Sequence, residues 1–153
     1  MSEIMFFYEN VRGRLTCVRQ VRAWVQTIVE TKHKQAGCIN VIFCDNTYLL
    51  KLNKQYLKHD TYTDIITFDF VDGEIINGDI FISWEQTADN AKLFGVKHQE
   101  ELRRVIIHGV LHLLGYKDKT APEQQQMRRE ENKALTLFNS AFLPELTKHK
   151  EVR

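Results

Sequence analysis

Residues Ile107 to Asp118 read I-H-G-V-L-H-L-L-G-Y-K-D, a stretch that few conformations satisfy. Histidines four apart share one face of a helix, so His108 and His112 can turn their imidazoles toward a single ion. Gly115 follows at the point where a left-handed C-cap costs glycine nothing. The chain, reversed there, carries Asp118 back toward the imidazoles. Two histidines and one carboxylate leave a fourth position for water, the arrangement of a catalytic zinc site and not of a closed structural one.

An H-x-x-x-H pair alone is a weak signal, about as often two satisfied surface residues as two ligands. The glycine and the acid at fixed offsets strengthen it, because H-x-x-x-H-x-x-G-x-x-D has the spacing of extended zincins, whose third ligand follows a helix-ending glycine. One position differs. A zinc peptidase places its glutamate general base directly after the first histidine, and this chain has Gly109 there. Proteolysis is demoted accordingly.

Upstream, the apolar pattern alternates between strand and helix periods. Ile4 to Tyr8 predicts a first strand, broken around Gly13. Val18, Val21, Trp24, Val25, Ile28 and Val29 recur at helical spacing and predict a helix from Thr16 to about Lys32. Cys38 to Cys44 is a β-branched strand, with Asp45 or Asn46 as the N-cap of a helix whose face is Tyr48, Leu49, Leu52 and Tyr56. Asp64–Phe70 and Gly78–Ser83 flank an Asp72-Gly73 turn and are expected to pair antiparallel. Ser83 and Gln86 predict a capping box for a helix from Trp84 to about Leu93, ended by Gly95. The histidine-bearing helix begins near His98 or Gln99, with Leu102, Val105, Ile106, Gly109 and Leu113 toward the core and Arg103 and Arg104 toward solvent. Pro122 is expected at the first position of a last helix reaching about Phe138, and the tail beyond Pro144 is polar. This order predicts an α+β domain with one mixed sheet of about four strands packed with helices.

At 153 residues the chain suits one compact domain spanning 1–153, burying roughly 70% of its unfolded surface. The formal net charge is only +1, so any nucleic-acid contact has to use a local patch. Arg12, Arg14, Arg19 and Arg22 crowd the N-terminal third, and Lys117 and Lys119 flank Asp118; each cluster taken singly also fits a solvated helix face. Cys17, Cys38 and Cys44 are odd in number and lack C-x-x-C spacing, which fits free thiols in a reducing cytoplasm. Cys38 and Cys44 share a strand face and are expected to fill core. Nothing near Met1 resembles a signal peptide, and no apolar run approaches the ~20 residues that span a bilayer, so a cytoplasmic protein is expected.

With these blocks in place the sequence resembles the YbeY family of metal-dependent endoribonucleases and rRNA maturation factors. The resemblance runs from about Ile39 to Met127. It rests on Leu52-Asn53, on T-D-I-I-T-F at Thr63–Phe68, on G-D-I-F-I-S at Gly78–Ser83, and on E-E-L-R-R-V-I-I-H-G-V-L-H-L-L-G-Y at Glu100–Tyr116. It implies a zincin-like α+β fold, one bound zinc, and action on single-stranded RNA in small-subunit rRNA maturation and ribosome quality control. Ribosomal RNA of the small subunit, a ribosomal protein and an assembly GTPase are the implied partners, and no membrane. Two positions depart from the family. Asp118 stands where a third histidine is usual; two neutral imidazoles and a carboxylate leave the site at about +1 instead of +2, holding the cation more firmly and acidifying bound water less. The oxygen ligand widens tolerance toward manganese or magnesium, while two imidazoles still favour zinc. Leu57 stands where family members commonly carry arginine, so any phosphate contact passes to Lys58 or His59, or to Lys117 and Lys119, or is absent, Lys58 then being a solvated helix-end lysine.

Phosphodiester cleavage needs an activated nucleophile, charge stabilisation on the phosphoryl oxygens and a proton for the leaving oxygen. One zinc held by His108, His112 and Asp118 supplies the first two. Asp64 and Asp79, near strand ends, are candidate assistants, with a turn or capping role as the alternative. Tyr116 is expected to pack against the metal loop. His33, His59, His98 and His149 lack ligand spacing and are assigned to the surface. The leading expectation is a zinc-dependent endoribonuclease; its rivals are an RNA-binding assembly factor in which the metal holds the loop together, and a zinc hydrolase of peptides or small molecules.

Overall fold

The computed structural model describes residues 2–57 and 63–143. Its elements are β1 (Glu3–Glu9), α1 (Val18–Thr31), β2 (Gln35–Cys44), α2 (Asn46–Leu52), β3 (Ile65–Asp69), β4 (Ile75–Ser83), α3 (Trp84–Phe94), α4 (His98–Leu113) and α5 (Ala121–Leu137). π-Helical turns extend α2 over Asn53–Leu57 and α5 over Phe138–Phe142. The four strands lie in the order β1-β2-β4-β3. β1, β2 and β4 are parallel and β3 runs antiparallel to β4, opposing Ile66 to Phe81 and Phe68 to Asp79. This is the expected α+β architecture on one mixed sheet. The predicted polar tail lies outside the described residues.

Alternation along the strands separates two faces. Ile39, Val41 and Phe43 of β2 and Ile76, Ile80 and Ile82 of β4 are buried with Val21, Trp24, Val25 and Val29 of α1 and Leu102, Ile106 and Val110 of α4. On the opposite face Cys44 and Ile66 are covered by Leu49 of α2. Cys44 therefore fills core as expected, whereas Cys38, six residues back on the same face, is exposed.

Helix α4 lies across the sheet with α3, α5 and α1 against its other sides. Two glycines set how closely it lies: a Cβ at Gly109 would sit 2.8 Å from Ile80 Cγ2, and one at Gly78 would sit 2.7 Å from Leu113 Cδ2. Surrounded in this way, α4 has no broad solvent face. Arg103 is buried, not exposed, with its guanidinium 4.6 Å from the centre of the Phe138 ring. Arg104 is half-buried, binding Glu131 at 2.8 Å with one arm of its guanidinium and the exposed Asn132 at 2.9 Å with the other.

Three of the helix starts, those of α2, α3 and α5, follow capping chemistry. Asp45 accepts from the Tyr48 N–H, Ser83 from the Gln86 N–H and Thr120 from the Glu123 N–H. The box expected at Ser83 forms by half, because the Gln86 side chain donates to Asn90 instead. The complete box is at Thr120 and Glu123, with Pro122 in the second helical position.

Candidate metal centre

His108 and His112 stand one turn apart near the C-terminal end of α4. Gly115, at φ 100°, ends that helix. The Gly115 N–H donates to the His112 carbonyl and the Tyr116 N–H to that of Leu111, each at 3.0 Å, which is the paired bonding of a Schellman motif. The reversed chain sets Asp118 beside the imidazoles. His108 Nε2 and His112 Nε2 are 3.0 Å apart, and Asp118 Oδ2 lies 3.2 and 3.3 Å from them. Ligands about 2.05 Å from a tetrahedral ion are separated by about 3.3 Å, so the three atoms already describe one face of such a shell. Among the described residues no other group of three His, Cys, Asp or Glu side chains converges in this way.

The other nitrogen of each ring fixes which atom faces the ion. His112 Nδ1 is 3.0 Å from the carbonyl oxygen of Tyr116, and His108 Nδ1 is 2.6 Å from Glu131 Oε2. A carbonyl and a carboxylate only accept, so both Nδ1 atoms donate and both Nε2 lone pairs turn inward. A carboxylate behind a ligating imidazole also raises its basicity. Burial lowers the His108 pKa, but the Glu131 hydrogen bond and charge, with the charges of Asp118 and Asp64, outweigh it and leave it raised. Glu131 is itself buried, which would raise its carboxyl, yet its bonds to His108 and Arg104 hold it low.

A cleft of about 430 Å³ opens beside the triad, lined by His108, Asp118, Asp64, Glu101, Arg104 and Arg128 among others. Asp64 is pushed up by burial, against the charge of His108 and hydrogen bonds to the backbone and Asn90. Glu101 is raised by burial and by the charge of Asp64. Asn90 Nδ2 donates to Asp64 Oδ2 at 3.1 Å. On the other side of the triad a second hollow is lined by His112, Lys117, Lys119 and Glu123.

The structure thus brings together His108, His112 and Asp118, with Asp64 in the adjoining cleft and exposed Lys117 and Lys119 beyond Asp118. Asp79 is held by Asn40 Nδ2 at 3.0 Å on the sheet and does not line the cleft. Tyr116 packs on the hydrophobic core, where packing against the metal loop was expected, and its backbone carbonyl orients His112. Leu57 is 44% exposed; Lys58, His59 and His149 lie outside the described residues. His33 is exposed, but His98 is not the surface residue expected: its ring packs edge-on to Trp84 with centroids 4.8 Å apart, and Nε2 meets Thr87 Oγ1 at 2.9 Å. Sequence reasoning missed Glu131. Its signal was available, since Met127, Glu131, Ala134 and Phe138 form one helical stripe in which the acid stands among apolar residues.

Known proteins resemble this chain over most of its length. Residues 8–139 match the family model described as Endoribonuclease YbeY. A Christiangramia forsetii protein named Endoribonuclease YbeY is 48% identical over 138 residues, covering 90% of this chain and 96% of its own length. A Porphyromonas gingivalis protein of the same name is 41% identical, covering 96% and 97%. A solution structure of a Thermotoga maritima protein superposes with a TM-score of 0.62 over 89% of this chain and 92% of its own, at 23% identity, a likeness of fold. No helix among the described residues is long and apolar enough to cross a membrane.

Proposed function

The chain belongs to the YbeY endoribonuclease family, and from that membership we propose that it is a single-domain, zinc-dependent endoribonuclease cleaving single-stranded ribosomal RNA. Its place is small-subunit rRNA maturation and ribosome quality control in the cytoplasm, where Cys17, Cys38 and Cys44, all free thiols, stay reduced. The observation that carries the reading is the triangle of His108 Nε2, His112 Nε2 and Asp118 Oδ2, with sides of 3.0 to 3.3 Å.

His108 and His112 hold the ion through nitrogens whose direction Glu131 and the Tyr116 carbonyl fix, and Asp118 completes the set with a carboxylate. When bound, the ion supplies Lewis acidity at a phosphoryl oxygen and lowers the pKa of a water. Asp64, half-buried in the cleft wall beside His108, handles the proton on that side, and Asn90 holds its carboxyl in place. Lys117 and Lys119 add positive charge on the other side, where a phosphate backbone would leave the site. Peptide hydrolysis is disfavoured by packing as well as by sequence: position 109, the place of the peptidase base, faces Ile80 and Ile65 of the sheet with no room for a Cβ.

The test is metal analysis of the purified protein joined to cleavage of a single-stranded RNA. One zinc per chain is expected, with cleavage lost in His112→Ala. Absence of stoichiometric metal, or full cleavage by that variant with contaminating nuclease excluded, overturns the reading. A purely structural ion predicts instead that His112→Ala loses thermal stability while the wild type never cleaves.

A further inference from the structure

The cleft beside His108 does not end at the metal triad. It continues along α4 into a second hollow of about 350 Å³, and the two share Phe94, Glu101, Arg104 and Arg128 as common walls. Two of these residues have no part in the metal centre or the core. Phe94, the last residue of α3, is 56% exposed, an unusual place for a large ring. Gly95, at φ 67°, ends the helix directly after it. Across the groove, Arg128 of α5 has 59% of its side chain exposed. The Glu131 carboxylate lies 3.9 Å from it, beyond hydrogen-bond reach, and that carboxylate already accepts from Arg104 and His108. Among the described residues Arg128 donates no hydrogen bond.

A flat apolar ring and an uncommitted guanidinium, facing one groove that begins at a metal triad, fit a ligand with planar faces joined to anions at short intervals. A nucleotide chain has that composition. Unpaired bases stack on aromatic side chains, and arginine meets phosphate with a planar fork of donors. We propose that Phe94 and Arg128 form a nucleotide subsite on the His108 side of the centre. The base of an unpaired nucleotide flanking the scissile phosphate stacks on Phe94, and Arg128 binds an adjoining phosphate. The proposal rests on the RNA-cleaving reading above and deepens it, because it gives a reason for single-strand preference. A base held in a duplex stack cannot lie on Phe94, whereas any unpaired base can, since every base has a π-face. Sequence tolerance at that nucleotide follows.

Short single-stranded RNAs carrying 2-aminopurine at each position in turn test this with the zinc-loaded protein. One position is expected to be quenched on binding to wild type and to Phe94→Trp, and not to Phe94→Ala. Phe94→Ala is expected to raise KM about tenfold with kcat retained. Arg128→Ala is expected to reduce the slope of log affinity against log salt by about 0.7, one phosphate's worth on a single strand. Zinc content stays at the wild-type value in all three variants. If Phe94→Ala leaves both quenching and KM unchanged, the subsite is overturned, and the exposed Leu93, Phe94 and Val96 face some other partner, such as a protein. Loss of zinc in Phe94→Ala or Arg128→Ala also overturns it, since the residues then act on the metal centre. A wild type that binds and quenches without cleaving refutes the nuclease reading and leaves the subsite standing; one that does neither refutes both.

Discussion

Glu131 does for His108 what the Tyr116 carbonyl does for His112, but with a full charge and from another helix. Replacing it by glutamine keeps an acceptor for the Nδ1 proton and removes the charge that also holds Arg104. Outer-shell changes of this kind cost about 10–100-fold in metal affinity. Competition against a chromogenic chelator is expected to show such a loss for Glu131→Gln and none for His33→Ala, whose side chain is exposed. Equal affinities would mean that the hydrogen bond is incidental. The contrast between Asp118 and Glu131 marks what a sequence can disclose about such a site. Asp118 is legible because its spacing from His112 is local and Gly115 announces the chain reversal. Glu131 is 23 residues from His108, and their meeting depends on how α5 docks, which no spacing rule encodes. Arg103 misled for a related reason. A charged side chain is assigned to solvent by default, yet its stem can bury beneath an aromatic ring, here that of Phe138.

At the scale of elements, periodicity placed α4 and both hairpin strands, and Asp45, Ser83, Gly95 and Gly115 placed a helix end each. It could not say how many sides of α4 are covered. An amphipathic reading presumes one wet face, whereas the sheet and three helices enclose α4 and bury both Glu101 and Arg103. The close approach of α4 to β3 and β4 is set by Gly109, and Gly109→Ala tests it. The added methyl would meet Ile80 Cγ2 at 2.8 Å and Ile65 Cδ1 at 3.0 Å. Overpacking typically costs about 1–3 kcal/mol, against a gain of up to about 1 kcal/mol in helix propensity. Urea denaturation is expected to show a net loss on the order of 1 kcal/mol; a more stable variant would show that the helix lifts freely. The start of α5 is set by the Thr120–Glu123 box, two residues beyond Asp118. Thr120→Ala is expected to destabilise by about 1 kcal/mol in the same assay, with metal affinity falling only if fraying reaches Asp118.

Over the whole molecule, metal, proton and fold are linked through α4 and α5. Trp24 Nε1 donates to the Ala134 carbonyl at 2.8 Å, and its ring meets Phe138 edge-on at 5.2 Å, so α1 clamps the helix that carries Glu131. Lys32 bonds Glu130 at 2.5 Å on the same side. An ion bound only by the native state stabilises it by about 2.7 kcal/mol at a free concentration of 100 Kd. For a chain of this length that is a rise in Tm of about 5–10 °C. The gain depends on pH with a definite sign. Without metal, His108 has a raised pKa: burial opposes the proton, but Glu131, Asp118 and Asp64 hold it. That proton stabilises the fold fully below the unfolded imidazole value of about 6.5, and its contribution is lost as pH rises through the folded value. An ion at the triad would need His108 Nε2 deprotonated, with Nδ1–H still donating to Glu131, so binding strengthens over the range in which the imidazolium's contribution fades. The difference in Tm between zinc-loaded and chelated protein is therefore expected to widen steadily from about pH 6 to pH 8. In His108→Ala the difference should be small and flat. A constant difference in the wild type would mean that no imidazole proton is displaced, and that the ion is held somewhere other than the triad.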